Sequence, residues 1–387
     1  MKKIVFISHY AGRTGAPILL LRLIEQIKIS TDYEIIILLK TDGELREDFE
    51  RLGKTFIWNW MYQGAKEQNS PRRFPGRLFH RKRITSPTKE EICQAEIFKE
   101  INEASFIFNN TIANAALLKQ LPLTGKKVFS YFHELHLATQ IISTRQELMY
   151  LNEISRKIFV PSKAVKSFFV NDYGFQEYKM PILKYIIPKE TKSQINKQED
   201  KIAKGMFLVG FCGVLTWRKG YEFVPLIIQY IIKTKNVKNI HFVWIGAERD
   251  SLEDHILKHD LQKMQLESYF TFLEPQKDVQ SYMAQLDVFV LPSREDAFPL
   301  VVLEAASHGV PTVYFSDAGG IGEFLGEEAG VPVCYLNIQS MAEKIIQLKL
   351  NEENRISLGK RAQQKLNEYF NNAETIKDLI EQMEAEN

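Results

Sequence analysis

Two carboxylates, Asp296 and Glu304, stand eight positions apart within VFVLPSREDAFPLVVLEAASHGVPTVYFSDAGG, residues 288–320. Between them lies Pro299, suited to the first helical position because its missing N–H would be unsatisfied there anyway. The helix it opens runs through Leu300, Val301, Val302 and Leu303 to Glu304. Free N–H groups at Leu300 and Val301, with the positive end of the helix dipole, make that start a place for phosphate oxygens. An apolar strand, Val288–Leu291, leads in; a second, Pro311–Phe315, leads out to a Gly319-Gly320 turn. Two acids and a row of free donors thus meet at the carboxyl end of a parallel sheet, an arrangement that suits a sugar attached to a diphosphate. Each acid has a plainer reading. Asp296 could serve only the helix dipole, and Glu304, in an otherwise apolar run, needs partners that could be ligand hydroxyls or a structural cation.

A second constellation is FCGVLTWRKGY, residues 211–221, where a strand ends in Gly213 and a short turn presents Arg218 and Lys219. Basic side chains there reach a phosphate near the strand ends, each such contact stabilising by about 1.5–3 kcal/mol. The alternative is a solvated pair that caps the turn. Gly246, after the strand VWIG, allows close backbone approach. In the first half, His9 to Pro17 (HYAGRTGAP) is a glycine-bearing strand-to-helix loop whose backbone around Gly15 can face a diphosphate. Arg13 in that loop reads equally as an acceptor-phosphate ligand or as solvated. His133-Glu134 closes the strand Val128–Phe132; His133 is either a site residue or a capping histidine, and His136 is a weaker candidate.

Together these motifs resemble the signature of retaining glycosyltransferases of family 4, which have the GT-B fold. That pattern is an acid, seven residues, a Glu, a small-residue helix, a strand and a Gly-Gly turn. Asp296 matches the first acid and Glu304 the second, whereas Glu295 is one position too far from Glu304. The resemblance implies that Glu304 binds ribose hydroxyls and that Asp296 and Phe298 lie in the sugar-facing loop. It implies that Lys219 neutralises the diphosphate, together with an Arg whose position is Val214 here, leaving Arg218 as the available substitute. Ala297 and Pro299 stand where the family has glycines. By the same resemblance, main-chain groups around Leu273 read the base, His133 lies near the transferred carbon, Gly319 and Gly320 permit tight approach at the donor end, and transfer retains configuration without a metal or cofactor. Glu323, after the glycine pair, reads as a cap of its local helix.

The elements that must position these groups alternate strand and helix twice. Ile4–Ile7, Tyr33–Leu39, Phe106–Phe108, Val128–Phe132 and Lys157–Val160 read as strands of one α/β unit; Phe207–Cys212, Ile240–Ile245, Thr271–Leu273, Val288–Leu291 and Pro311–Phe315 as strands of another. The expected fold is two Rossmann-like doubly wound domains facing across a cleft. Residues 1–187 form the acceptor-side domain, a polar linker covers 188–204, the donor-binding domain covers 205–369, and a helix in 370–387 crosses back to the first domain by the resemblance. The 387 residues suit two cores.

Composition excludes several classes. With a net charge of +2 the chain is not a dedicated nucleic-acid binder. The start MKKIVFISHY is too short an apolar run for a signal peptide, and no run reaches the roughly 18 apolar residues of a membrane span. Cys93, Cys212 and Cys334 have no paired spacing and read as reduced core thiols of a cytoplasmic protein. Arg72, Arg73, Arg77, Arg81, Lys82 and Arg83, interleaved with Phe74, Leu78 and Phe79, read either as a solvated loop or as a contact with an anionic membrane or lipid-diphosphate acceptor. The expected activity is sugar transfer from a nucleoside-diphosphate donor to a hydroxyl on a saccharide or lipid-linked acceptor. Two other readings stay open: a nucleotide-sugar epimerase, and a non-catalytic nucleotide-sugar-binding subunit.

Overall fold

Short runs of β-branched and aromatic residues, each followed by an amphipathic stretch, build two six-stranded sheets. The computed structural model describes residues 1–58, 89–187, 203–276 and 278–385. The first sheet holds β1 (Lys3–Ser8), β2 (Glu34–Leu39), β3 (Lys54–Ile57), β4 (Phe106–Asn110), β5 (Val128–Tyr131) and β6 (Ser155–Phe159), in the order β3-β2-β1-β4-β5-β6. The second holds β7 (Phe207–Cys212), β8 (Ile240–Ile245), β9 (Phe270–Leu273), β10 (Val288–Leu291), β11 (Thr312–Phe315) and β12 (Val331–Val333), in the order β12-β11-β10-β7-β8-β9. Counted from its own first strand, each sheet has the same doubly wound order, and every pairing is parallel. Strand order reverses between β1 and β4 and again between β7 and β10. The crevices beyond the carboxyl ends at those two points are where such sheets take ligands.

Two strands escape the sequence reading, β3 and β12. Both lie at sheet edges, where strands are short and proline is tolerated, and β12 carries Pro332. The cysteine reading needs correction: only Cys212 is buried, Cys93 is half-buried and Cys334 is exposed, though all three are free thiols. The segment Arg72 to Arg83 and residues 188–202 of the expected linker lie outside the described residues. Among the described residues no helix is long and apolar enough to cross a membrane.

The last helix, Asn372–Ala385, returns to the first domain. Its Ile376, Leu379 and Met383 share a core with Leu19, Leu20 and Leu23 of the helix Gly15–Ser30. Glu384 pairs with Lys2 and accepts from the Tyr33 hydroxyl. Asn372 and Ile187 exchange two hydrogen bonds, of 3.1 and 2.6 Å.

Candidate functional site

The second domain's half of the site begins where β7 and β8 end in glycines with positive φ, Gly213 at +125° and Gly246 at +93°. A Cβ on Gly246 would stand 3.3 Å from the Gly213 carbonyl oxygen, so only glycine combines that backbone with that approach. Trp244 Nε1 donates to the same oxygen at 2.7 Å and fixes the loop. A short 3₁₀ turn, Trp217–Lys219, follows and ends at Gly220, packed against the carbonyl of Pro292. The turn thereby brings its cations to the loop after β10. Lys219 Nζ lies 2.5 Å from Asp296 Oδ2, and Arg218 Nη1 lies 3.4 Å from the same oxygen while donating to the Glu295 carbonyl at 2.9 Å. Val214 is exposed and takes no part in this cluster. Burial pushes the Asp296 carboxyl up, but Lys219 and then Arg218 outweigh it and hold it below the usual range. Asp296 thus sits as a carboxylate between two basic side chains.

The Gly319-Gly320 turn acts on this acid loop. Gly319, at φ +135°, passes so close that a Cβ would stand 1.8 Å from the Asp296 carbonyl oxygen, and the two residues form a parallel bridge. Asp296 N donates to Ala318 O at 2.6 Å. Gly320 leaves room for Ser162 of the first domain, whose hydroxyl donates to Ala297 O at 3.1 Å. The tight approach expected of the glycine pair is thus made to the Asp296 loop and to Ser162. Pro299 does not take the first helical position: it is the extended N-cap of the helix Leu300–Ser307, with ψ 117°, and supplies no side-chain cap. Phe298 is buried and meets the Tyr185 ring edge-on at 5.4 Å, forming an apolar joint between domains. The Leu273 carbonyl accepts from Gly246 N and Ala247 N, both at 2.9 Å.

Glu304 faces the first domain. Its Oε1 lies 3.9 Å from Nη2 of Arg22, on the helix Gly15–Ser30. Burial raises the Glu304 carboxyl and Arg22 only partly offsets this. Arg22, itself lowered by burial, gave no signal in the sequence beyond an arginine in an otherwise apolar helix stripe.

In the first domain the loop after β1 reaches Gly15, exposed at the start of its helix, where Thr14 supplies no side-chain cap. His9 is mostly buried, with an unpartnered Nδ1; burial and then Lys40 push it down to about 4. Arg13 is exposed. At the end of β4, Asn110 donates from Nδ2 to Ala16 O at 2.9 Å, and its Oδ1 lies 2.8 Å from His133 Nε2. His133 Nδ1 is buried without a partner; burial and then His9 push the ring down to about 3. Glu134 accepts from His133 N at 2.8 Å and from the Thr111 hydroxyl. Thr111 sits at φ +103°, a strained setting for a β-branched residue, where its contact with Glu134 helps hold the loop. His136 is turned away, 3.5 Å from Asp172 and edge-on to Phe168.

Two carboxylates of the second domain cap helices of the first. Glu295 accepts from Leu137 N at 2.8 Å and Ala138 N at 3.2 Å, at the start of the helix His136–Ile142. Glu323 accepts from Lys163 N at 2.9 Å and Ala164 N at 2.7 Å, at the start of the helix Lys163–Tyr173. Glu323 therefore caps a helix of the other domain, not its own, because domain closure places that helix start over it. Arg22, Glu295 and Asn110 are the residues that sequence reasoning missed. For Asn110 a signal existed: FIFNN puts asparagines at the carboxyl end of an apolar strand, where a buried amide needs partners.

The structure thus brings Lys219, Arg218, Asp296 and the bare helix start at Leu300 together. Glu304 faces Arg22 across the gap, and in the other domain Asn110 ties His133 to Ala16, next to Gly15. Cations and free N–H groups at one crevice can hold a diphosphate; the acids and the histidine lone pairs can accept from hydroxyls.

Comparison with known proteins finds likenesses among glycosyltransferases. Residues 192–365 match the family model for glycosyl transferases group 1. The O-antigen biosynthesis glycosyltransferase WclY of Escherichia coli is 32% identical over 117 residues, covering 30% of this chain and 31% of WclY. The chain thus aligns with about a third of that relative's length. The amylovoran biosynthesis glycosyltransferase AmsD of Erwinia amylovora is 20% identical over 227 residues, 59% of this chain and 62% of AmsD. The crystal structure of Anabaena HepE in complex with UDP and glucose superposes with a TM-score of 0.80 over 100% of both chains at 17% identity, a likeness of fold. The two facing Rossmann-like halves are the GT-B architecture.

Proposed function

We propose that this protein is a group 1 glycosyltransferase of the retaining family 4 type, moving a hexose from a nucleoside-diphosphate sugar to a hydroxyl acceptor. The observation that carries the reading is the convergence of Lys219 and Arg218 on Asp296, beside the uncapped helix start at Leu300. The cluster sets two basic side chains against one carboxylate, and these can turn from it to a phosphate without leaving the spot.

In this reading the diphosphate takes Lys219, Arg218 and the N–H groups of Leu300 and Val301, while Glu304 accepts from ribose hydroxyls. Asp296, Gly15 and His133 border the sugar. The anomeric carbon–oxygen bond to phosphate breaks, the acceptor oxygen bonds to that carbon, and the acceptor proton passes to the departing phosphate. Preorganised stabilisation of the leaving charge is worth roughly a hundredfold in rate or more. The reading assigns neutralisation to side chains and backbone donors, with no metal or cofactor. Closure of the two domains excludes water and limits donor hydrolysis.

The relatives named for O-antigen and amylovoran synthesis support an acceptor in cell-surface polysaccharide or lipid-linked oligosaccharide assembly. Cytoplasmic placement, with Arg72 to Arg83 on an anionic membrane face, belongs to the same proposal. HepE with bound UDP makes uridine nucleotides the first to test. A thermal-shift screen of nucleoside diphosphates and their sugars is expected to give a raised melting point for one of them, and incubation of that sugar nucleotide with hydroxyl acceptors to release the diphosphate. No shift with any nucleotide would overturn the reading.

A further inference from the structure

We propose that Asn110 is a positioning residue: it holds His133 in the Nε2–H tautomer and so leaves the Nδ1 lone pair as the acceptor for a sugar hydroxyl. The assignment follows from one carbonyl. Ala16 O, in the first turn of the helix Gly15–Ser30, cannot donate, so the group of Asn110 that meets it at 2.9 Å is the amide NH₂. The amide oxygen must then face His133 Nε2, 2.8 Å away. An oxygen acceptor requires a hydrogen on that nitrogen, and a neutral imidazole with its hydrogen on Nε2 carries its lone pair on Nδ1. Asn110 is fully buried and its backbone is paired in β4, so neither the amide nor the ring it holds is free to turn.

The ring lies beside the joint between the two domains. His133 follows β5, with Tyr131 at 4.0 Å and Tyr185 at 6.2 Å between ring centroids, and Tyr185 in turn meets Phe298 of the second domain. His9, from the loop after β1, disfavours its charged form. Glu134 is occupied by Thr111 and by the His133 backbone N–H. Nδ1 itself is buried and unpartnered, a cost that a hydroxyl donor removes. A ring that stays neutral down to about pH 3 is a poor proton acceptor, so the lone pair orients a hydroxyl and does not deprotonate it. This inference rests on the glycosyl-transfer reading for the identity of the hydroxyl, but the tautomer does not.

The test has arms that separate the two. In the ¹⁵N-histidine-labelled protein, with His133 assigned through His133→Gln, Nε2 is expected to be protonated and Nδ1 bare; the opposite tautomer overturns the proposal. Asn110→Ala is expected to mix the tautomers and lower kcat/KM for sugar transfer roughly five- to tenfold, with affinity for the nucleoside diphosphate unchanged. An unchanged tautomer and rate overturn it. Should the alanine variant not fold, Asn110→Asp keeps an oxygen for Nε2–H. It is expected to preserve the tautomer and to move the acid limb of the pH–rate profile upward, because a carboxylate favours the charged ring. A profile unmoved from the parent's counts against the role. If the parent transfers no sugar, the functional reading fails alone; titration with uridine diphosphate glucose must then still shift the Nδ1 resonance, and a silent Nδ1 overturns this proposal too.

Discussion

Lys219 and Asp296 form a partly buried ion pair between the loops that leave β7 and β10, with Nζ 2.5 Å from Oδ2. In the proposed function the cation that takes the phosphate is thus held in place beforehand by an acid bordering the same crevice, and binding of the diphosphate would exchange one anionic partner for another. Such preorganisation leaves little side-chain reorganisation for the chemical step.

Lys219→Ala is expected to lower turnover about a hundredfold or more. It should also destabilise the fold in a pH-dependent way. The folded Asp296 carboxyl sits below its ordinary value, so its contribution is present above the unfolded pKa and fades as pH falls through the folded one. The stability gap between parent and variant, from urea unfolding, should be widest near neutrality and shrink below about pH 4. A gap equal at both ends would mean that the ion pair is not its cause.

Glu304→Gln should weaken nucleoside-diphosphate binding about tenfold, or about 1.4 kcal/mol, through loss of a charged acceptor for ribose hydroxyls. Calorimetry reads this directly. Unchanged affinity would remove the ribose role and leave Glu304 as the partner of Arg22.

His9 and His133 are held neutral by burial, with folded values of about 4 and about 3 against an unfolded value near 6.5. Their stabilising contribution is complete above pH 6.5 and is lost progressively as pH falls, because the unfolded chain binds protons that the folded one refuses. The slope is about 1.4 kcal/mol per pH unit for each ring. His133→Gln should flatten the loss of stability between pH 7 and pH 5, measured by denaturant unfolding. Parallel curves would mean that His133 is charged or exposed in the folded state.

Glu295→Gln and Glu323→Gln together remove the charge from both carboxylates that cap helices across the domain boundary. Each such interaction contributes at most about 2 kcal/mol. Small-angle scattering should show a larger radius of gyration for the double variant, while the second domain's affinity for nucleotide stays near the parent's. An unchanged radius would place the hold between domains in the Tyr185–Phe298 joint.

Two glycines should respond in opposite ways. Gly319→Ala puts a methyl group against the Asp296 carbonyl at φ +135° and should destabilise by about 3 kcal/mol or more. Gly15 has nothing within 4 Å of a built Cβ, so Gly15→Ala should leave the melting temperature nearly unchanged. A fall in donor affinity without loss of stability would then mark Gly15 as a backbone contact of the diphosphate.

The amino-acid sequence by itself determined what depends on near neighbours. Strand and helix alternation, the eight-residue offset of Asp296 and Glu304, the helix start just after Pro299 and the glycines after β7 and β8 are local patterns, set by propensity, burial and backbone freedom. What it left open joins residues distant in the chain. Edge strands β3 and β12 take their place from a neighbouring strand, since their own runs are too short to declare it. For Arg218 the sequence leaves both a phosphate contact and a solvated turn open, and only the loop after β10 brings Asp296 to it. Glu323 caps a helix of the first domain and Arg22 faces Glu304 only because the two sheets close on each other. Only tertiary packing chooses among the partners that a charged or amide side chain could equally well accept, because what decides is which of them the fold buries beside it.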